Sequence, residues 1–353
     1  MRPLGPLVAA LCLATPAQAQ WVRQSSTTRA SFRGLSVVDS NVVWASGSGG
    51  TYLWTNNGGA QWHAGTVPGA TSFDLRGVHA VSLDTAYVMV AGTDTARIYK
   101  TTDRGAHWTL QYDDTRKGVF LDGIAFFDAK HGLAIGDPMD GHFLILKTDD
   151  GGAHWRQLDS TKIPAALPSE AEFAASNTSL VLHGTQDAWF ATGGGRVARV
   201  LRTHDGGATW TVSETPVTAG QSGSGIFSLA FVDATHGLAV GGNYATPDTT
   251  GVTVARTSDG GATWTAVSPS GATGYLSGVV ALPSSHGQHF IAVGTQGTAY
   301  SLDGGEHWTK LDSHLLNVIA VDHQTRHVWA AGERGTVGML DPAKLGSAAQ
   351  TGH

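Results

Sequence analysis

The chain has 353 residues, and its 28 acidic and 22 basic side chains give a formal net charge of −6. An acidic balance argues against nucleic acid and anionic membranes as partners, since both select basic surfaces. Cys12 is the single cysteine and lies in the N-terminal segment, so neither a disulfide nor thiol chemistry is expected in the mature chain. The sequence contains no recognised cofactor motif, and we expect no cofactor.

Residues 1–19 have the pattern of a secretory signal peptide. Arg2 supplies the positive start, Leu4 to Ala14 the apolar run, and Ala17–Ala19 a small-residue cleavage site before Gln20. The apolar run is too short to span a bilayer, so no transmembrane segment is expected. The pattern predicts one domain over residues 20–341 in the periplasm or outside the cell. The Ala-, Gly- and Ser-rich residues 342–353 are predicted to form a disordered tail.

One eight-residue pattern recurs along the chain, with a Ser or Thr, an Asp two residues later, a Gly pair or single Gly, and a final Trp. The copies are Thr55–Trp62, Thr101–Trp108, Thr148–Trp155, Thr203–Trp210, Thr257–Trp264 and Ser301–Trp308. Their third positions are Asn57, Asp103, Asp150, Asp205, Asp259 and Asp303, at steps of 46, 47, 55, 54 and 44 residues. Such a period is typical of repeat proteins with one small sheet per unit.

Each copy has the chemistry of a turn between two strands. The Asp carboxylate can accept backbone N–H groups two or three residues on, and glycine supplies the positive φ of a tight hairpin. The Trp then starts the next strand and covers the hairpin with its indole. Because the copies are a repeat apart, the fold separates the six side chains. We therefore expect them to stabilise hairpins, and we predict no metal site.

A second repeated pattern gives the number of units. Seven segments end in a short apolar run and Gly: Val42–Gly47, Val88–Gly92, Gly132–Gly136, Trp189–Gly193, Gly237–Gly241, Phe290–Gly294 and Val328–Gly332. The seventh unit, Leu315 to Asp341, lacks a Trp-led strand, whereas Trp21–Gln24 at the other end resembles Trp210–Ser213. We expect the N-terminal strand to complete the last unit. The sequence therefore predicts an all-β, seven-bladed β-propeller with a closed ring. Because a closed ring has no free strand edge, we expect a monomer.

Candidate functional residues are those that depart from the repeat on the face opposite the motif hairpins, where loops converge. Arg33, Arg76 and Asp122 occupy one column at the blade entries, and Ser277 and Asn317 follow in that column. Loops and the long link 161–175 add Asp137, Asp140, Asn243, Tyr244, Arg334, Glu170 and Glu172. This rim could be a solvated edge around a water-filled channel. The alternative is a binding site at Arg33, Arg76, Asn243, Tyr244 and Arg334.

The repeated residues match the Asp-box, or BNR repeat, Ser/Thr-x-Asp-x-Gly-x-x-Trp. It is found in sialidases, secreted glycosidases, sortilin-type receptors and photosystem II assembly factors, all of them β-propellers, so it specifies fold rather than function. Residues 21–341 as a whole resemble the seven-bladed bacterial propellers grouped with the photosystem II assembly and stability factors. That resemblance implies a non-catalytic scaffold for membrane-protein assembly with an arginine-bearing surface, which maps here to Arg33 and Arg76.

Two functional hypotheses follow. The first is an exported, non-enzymatic propeller that binds a protein or a glycan on its loop-rich face. The alternative is a secreted glycoside hydrolase, sialidase-like or otherwise, that uses two of the carboxylates Asp122, Asp137, Asp140 and Glu172. The Arg-Ile-Pro sequence of sialidases is absent.

Overall fold

The computed structural model describes residues 21–248, 251–267, 274–283 and 285–345. Within these ranges the chain forms seven four-stranded antiparallel sheets, which we number as blades 1 to 7. The seven-bladed architecture predicted from the two repeated sequence patterns, the motif that ends in Trp and the apolar run that ends in Gly, is confirmed. The predicted signal peptide, residues 1–19, and the end of the predicted tail, residues 346–353, lie outside the described residues.

The strands are named β1 to β28 in chain order. Blade 1 comprises β2 (Phe32–Val37), β3 (Val43–Gly47), β4 (Thr51–Thr55) and β5 (His63–Thr66); blade 2 comprises β6 (Asp74–Ala80), β7 (Ala86–Gly92), β8 (Thr95–Thr101) and β9 (Thr109–Asp114). Blade 3 comprises β10 (Leu121–Phe126), β11 (Gly132–Met139), β12 (His142–Thr148) and β13 (Arg156–Gln157); blade 4 comprises β14 (Leu180–His183), β15 (Asp187–Ala191), β16 (Arg199–Thr203) and β17 (Thr211–Glu214). Blade 5 comprises β18 (Ser224–Phe231), β19 (Gly237–Asn243), β20 (Val254–Thr257) and β21 (Thr265–Val267); blade 6 comprises β22 (Gly278–Ala281), β23 (Phe290–Gly294), β24 (Gly297–Ser301) and β25 (Thr309–Asp312). Blade 7 comprises β26 (Leu316–Val321), β27 (Val328–Gly332), β28 (Thr336–Leu340) and β1 (Val22–Ser25), and short 3-10 helices cover Ser160–Lys162 and Pro342–Lys344.

The second strand of each blade is the most deeply buried, which explains its apolar sequence. Every residue of β3, β23 and β27 is buried, whereas β5 and β17 at the outer edges are mostly exposed. Only glycine fits at the end of these buried strands, because a side chain there would overlap the backbone of the link between blades. A Cβ at Gly47 would overlap the carbonyl of Ser31, and one at Gly294 would overlap that of Tyr275. The links between blades therefore pass directly over these glycines.

The ring is closed by the N-terminal strand. β1 pairs antiparallel with β28 in the register Val22↔Met339 to Ser25↔Thr336. Trp21 is buried beside this pair, and its Nε1 donates to Thr298 Oγ1 of blade 6 at 3.1 Å. The strand that starts the described chain thus provides the missing fourth strand of blade 7, as predicted. The segment predicted as a tail begins with the 3-10 helix Pro342–Lys344, in which Ala343 N–H donates to Asp341 Oδ1 at 3.0 Å.

The six repeated motifs form the hairpins between the third and fourth strands of blades 1 to 6, and we call them the box hairpins. In blade 3, Thr148 Oγ1 donates to Asp150 Oδ1 at 2.9 Å and accepts from Gly152 N–H at 2.8 Å, while His154 N–H donates to the same carboxylate at 2.9 Å. Asn57 of blade 1 accepts equivalently from Gln61 N–H at 2.9 Å. The backbone donor thus lies four residues on, rather than the expected two or three, because the Thr hydroxyl takes the nearer N–H groups.

These hairpins and the turns between first and second strands occupy one face of the ring, the box face. The opposite, loop-rich face carries the links between blades and the loops between second and third strands. In the part of the chain that the structure describes, no helix has the length and apolar character needed to cross a membrane.

Candidate functional site

The residues that ring the central channel on the loop-rich face are placed there by β-bulges. The inner strands shift register between Phe32 and Gly34, Leu75 and Gly77, Leu121 and Gly123, Ile226 and Ser228, and Leu316 and Val318. A bulge inserts one unpaired residue and re-aims its side chain. The five inserted residues are Arg33, Arg76, Asp122, Phe227 and Asn317. The bulges explain why three charged side chains predicted from the sequence lie at equivalent positions.

The link between blades 3 and 4 crosses the mouth of the channel, and we call residues 173–179 the plug segment. Asn177 Oδ1 accepts from Ile124 N–H in blade 3 at 2.8 Å. Ser176 Oγ donates to Ser277 O at the entry of blade 6 at 2.7 Å, and Thr178 Oγ1 shares a 2.7 Å hydrogen bond with Ser228 in blade 5. The plug segment therefore connects several inner strands. It closes the bottom of a cavity of about 460 Å³ whose wall is the ring of bulged residues.

The link is fixed at its other end by a buried ion pair. The Glu170 side chain is fully buried and pairs with Arg199 of β16, which is 8% exposed. Glu170 also accepts from Thr192 Oγ1 at 2.6 Å and from Leu167 N–H at 2.7 Å. Because all its oxygens are engaged within the fold, Glu170 acts as an anchor for the link and does not face the cavity.

One side of the cavity is basic. Arg33 makes no hydrogen bond or ion pair with any residue that the structure describes, and burial next to the positive charge of Arg76 lowers its pKa. Arg76 Nη1 donates to Ala174 O of the plug segment at 3.2 Å, and its Nη2 lies 3.6 Å from Asp74 Oδ2. Arg76 Nε is buried without a hydrogen-bond partner. The guanidinium group of Arg33, whose donors are unused, and that of Arg76 beside it form a site suited to an anionic group.

Three carboxyl groups lie on the adjacent side, in blade 3 and its link. Glu172 N–H donates to Asp137 Oδ1 at 3.1 Å, which brings both residues together beside Asp122. Burial raises the pKa of Asp137 to about 6 and that of Glu172 to about 8. Burial and the neighbouring charges of Asp137 and Glu172 raise the pKa of Asp122 well above its usual range. Both oxygens of Glu172 and Oδ2 of Asp122 are shielded from solvent and lack hydrogen-bond partners in the described structure.

An aromatic cluster forms the third side. Phe173 of the plug segment stacks on Phe227 with ring centroids 4.2 Å apart, and Tyr275 meets Phe227 edge-on at 4.8 Å. Tyr244 lies 6.1 Å from Phe227 and is 55% exposed at the rim. These stacked and edge-on contacts hold the rings rigidly, which favours binding of a flat or apolar group.

The structure gathers some of the predicted site residues and leaves others apart. Arg33, Arg76, Asp122, Asp137, Glu172 and Tyr244 line the cavity together. Asn243 is buried and holds the rim loop by donating to Gln221 Oε1 at 2.6 Å. Asp140 and Arg334 both lie at exposed hairpin tips with positive φ and do not line the cavity. Among the described residues no group of three or more His, Cys, Asp or Glu side chains is arranged to hold a metal ion.

Sequence reasoning missed the aromatic side. Phe227 occupies the same column as Arg33 and Arg76, in the sequence Ile226-Phe227-Ser228, where Ser replaces the usual Gly. A search for an apolar residue, any residue and then a small residue at the start of each blade would have found it. Phe173 and Tyr275 lie in links that do not follow the repeat, so no periodic signal marks them.

The seven four-stranded sheets form a closed ring, which defines a seven-bladed β-propeller with a small cavity on the loop-rich face. Within this class the chain resembles Ycf48. The photosystem II assembly lipoprotein Ycf48 of Synechococcus sp. (strain CC9902) is 36% identical over 90 residues, which cover 25% of this chain and 22% of that protein. The alignment thus spans about a fifth of the relative's length. No family model matches the chain.

Two solved structures show how widely this architecture is shared. The structure described as YCF48 bound to D1 peptide superimposes with a TM-score of 0.65 at 16% identity, covering 93% of this chain and 99% of that one. A GH74 xyloglucanase from Xanthomonas campestris gives a TM-score of 0.62 at 16% identity, covering 90% of this chain and 53% of that one. At such identities the superpositions establish the fold alone.

Proposed function

We propose that this protein is an exported, monomeric, non-catalytic β-propeller that holds part of a protein partner at the cavity on its loop-rich face. One observation carries the proposal: Arg33 presents a guanidinium group with no acceptor in the described structure, beside Arg76 and the exposed ring of Tyr244. Arg and Tyr are among the residue types that most often anchor protein interfaces. A partner's carboxylate or carbonyl oxygens would supply the acceptors that the fold leaves out.

The burial of the acidic groups favours binding over catalysis. A catalytic carboxylate must reach the atoms that it protonates or attacks. Both oxygens of Glu172 and Oδ2 of Asp122 are shielded from solvent. A role in shaping the cavity accounts for these carboxyl groups better than contact with a substrate.

Similarity to Ycf48 supports a scaffold function. Ycf48 is named as a photosystem II assembly protein, and a related structure is described with a D1 peptide bound. We propose that this chain likewise binds a segment of another protein during assembly. The repeated motifs would belong to the Asp-box type, since their Thr and Asp side chains cross-link each box hairpin.

The N-terminal pattern of residues 1–19 supports the proposed export, as does the start of β1 only a few residues after the proposed cleavage site. The proposal requires the mature chain to start at Gln20. Mass spectrometry of the protein recovered from the periplasmic fraction measures this directly, and an uncleaved chain in the cytoplasm would contradict it.

Photo-crosslinking tests the binding site. A photoreactive phenylalanine is placed at Tyr244 in the cavity rim or at Val212 on the outer strand of blade 4, and each protein is irradiated with the cell-envelope fraction. We expect a discrete protein adduct from position 244 and none from position 212. The adduct should be lost in Arg33→Ala/Arg76→Ala and retained in Arg202→Ala/Arg256→Ala, which removes the same number of charges elsewhere. Equal adducts from both double variants would refute the assignment.

A second candidate, a glycoside hydrolase, is favoured by the separated pKa values of Asp137 and Glu172, about 6 and 8. Carboxyl groups with different pKa values are typical of acid–base pairs. Incubation with a glycan array, followed by mass spectrometry of the products, separates the alternatives. Turnover that is lost in Asp137→Asn or Asp122→Asn would establish the enzyme, and binding without turnover would identify a glycan as the partner.

A further inference from the structure

Most of the positive and negative groups of the cavity come from different blades, with Glu333 of blade 7 as an acidic group near Arg33, and this arrangement limits what the cavity can hold. Arg33 and Arg76 enter from blades 1 and 2, whereas Asp122, Asp137 and Glu172 come from blade 3 and its link. Phe227, Tyr244 and Tyr275 form the aromatic side, in blade 5 and at the entry of blade 6. A ligand with only a negative charge would pair with Arg33 and leave Asp137 without a partner, and a ligand with only a positive charge would do the reverse.

We propose that the cavity binds a dipolar group, an ammonium and a carboxylate carried close together on an apolar or aromatic body. The carboxylate accepts hydrogen bonds from Arg33, the ammonium donates to Asp137, and the apolar body packs against Phe227 and Tyr244. This inference rests on the proposed function, because it names the chemistry that the same site recognises. Two sources share that chemistry: a free aromatic amino acid, and a protein segment in which a basic and an acidic side chain flank an aromatic residue.

The accessible atoms support this assignment. Arg33 has no acceptor in the described part of the chain, so all its N–H groups are free for a carboxylate. Asp137 is only partly buried, and the one hydrogen bond that its carboxylate makes in the described structure, from Glu172 N–H, engages Oδ1 and leaves Oδ2 for an ammonium group. The cavity volume of about 460 Å³ is sufficient for a ligand the size of an amino acid.

The acidic groups add a proton linkage. The ionisable groups around the cavity are Arg33 of β2, Asp74 and Arg76 of β6, Asp122 of β10, Asp137 of β11, Glu172 of the link, Tyr244 and Tyr275 at blades 5 and 6, and Glu333 after β27. Asp137, with a pKa of about 6, changes charge near neutral pH. An ammonium group favours the ionised carboxylate, so binding of a dipolar ligand strengthens as the pH rises through 6 and releases protons. Binding of a purely anionic ligand weakens over the same range, since new negative charge appears beside it.

Isothermal titration calorimetry on residues 20–353 tests the proposal with four probes. L-phenylalanine has both charges, N-acetyl-L-phenylalanine lacks the ammonium, L-phenylalaninamide lacks the carboxylate, and acetyl-Lys-Phe-Glu-amide has both charges only in side chains. We expect at least one doubly charged probe to bind, and each singly charged analogue to bind at least about tenfold more weakly, the effect of losing a charge-assisted hydrogen bond. The probe that binds more tightly, the amino acid or the blocked peptide, identifies the source.

Variants separate recognition from a general structural role. Asp137→Asn keeps the acceptor for Glu172 N–H. It should weaken the dipolar probe at least about tenfold and abolish the increase in its affinity between pH 5.5 and 7.5. The same variant should bind N-acetyl-L-phenylalanine as the wild-type chain does at pH 5.5 and more tightly than the wild-type chain at pH 7.5, because the negative charge beside the carboxylate is removed. Arg33→Ala should weaken both probes, and Arg256→Ala neither. Absence of binding by both doubly charged probes, or equal binding by a singly charged analogue, would overturn the inference. If the crosslink at Tyr244 were nevertheless lost in Arg33→Ala/Arg76→Ala, the proposed function would stand without it.

Discussion

Replacing Glu170 with alanine is expected to destabilise the protein strongly, because it breaks the ion pair that anchors the link carrying the plug segment. The Glu170 side chain is fully buried, and its four hydrogen-bond donors include two N–H groups of Arg199. Without the carboxylate, the positive charge of Arg199 stays buried, with the Ala165 carbonyl at 2.9 Å as its remaining acceptor. Breaking one side of a buried pair costs about 3–5 kcal/mol.

The double variant Glu170→Leu/Arg199→Met distinguishes a buried charge from simple loss of contacts. Apolar replacement of both partners removes the uncompensated charge. It leaves the donors Thr192 Oγ1 and Leu167 N–H and the acceptor Ala165 O without their Glu170 and Arg199 partners, at about 1 kcal/mol each. We therefore expect the double variant to be more stable than Glu170→Ala. The exposed pair Arg196–Glu214, 2.9 Å apart with side chains 66% and 57% exposed, provides the control. Glu214→Ala should cost no more than about 0.5 kcal/mol.

Urea denaturation followed by tryptophan fluorescence gives the free energies of unfolding without screening the charges. A cost below about 1 kcal/mol for Glu170→Ala, or a double variant as unstable as the sum of the single variants, would refute the reasoning.

Three further predictions concern closure, the plug segment and pH. Trp21→Ala should cost about 3–5 kcal/mol, and Trp21→Phe about 1 kcal/mol for the lost hydrogen bond to Thr298; equal stability of Trp21→Ala and the wild-type chain in urea would contradict the closure. Asn177→Ala leaves the Ile124 N–H without its acceptor, so hydrogen exchange at Ile124 should accelerate and stability fall by about 1–3 kcal/mol; unchanged exchange would contradict this role. The pKa of Glu172 is raised by burial to about 8, so the folded state retains a proton that the unfolded state has lost above its ordinary value. Stability should therefore fall between pH 5 and 8 by at most about 1.4 kcal/mol per pH unit from this group, and Glu172→Gln should flatten the profile measured by urea denaturation. If the free energy of unfolding fell more steeply with pH in Glu172→Gln than in the wild-type chain, the raised pKa of Glu172 would be contradicted.

The architecture could be predicted from the sequence because every blade of a propeller has the same fold and therefore places the same residue types at equivalent positions. Gly at the end of each second strand is required by the link that passes over it, as at Gly47, so the column counts the blades. The Trp-led strand that is missing from the last unit appears at Trp21, and closure of the ring follows from the need to cover the edge of β28.

The site was only partly predictable, since it is formed by departures from that repeat. Arg33, Arg76 and Asp122 were found because bulges occupy equivalent positions in the inner strands. The plug segment could not be found from the sequence, because the path of the link depends on tertiary hydrogen bonds such as that from Ile124 N–H to Asn177 Oδ1. The raised pKa values of Asp137 and Glu172 arise from burial by this link, which no local pattern encodes.

Hydrogen-exchange mass spectrometry of the protein, alone and in complex with the partner captured through position 244, tests the central claim most directly. Binding at the cavity predicts slower exchange in the rim loop from Asn243 to Ala245, in the plug segment and at the entries of β2 and β6. The box hairpins should be unchanged. Protection of the box hairpins with an unaltered rim would place the partner on the opposite face and contradict the account.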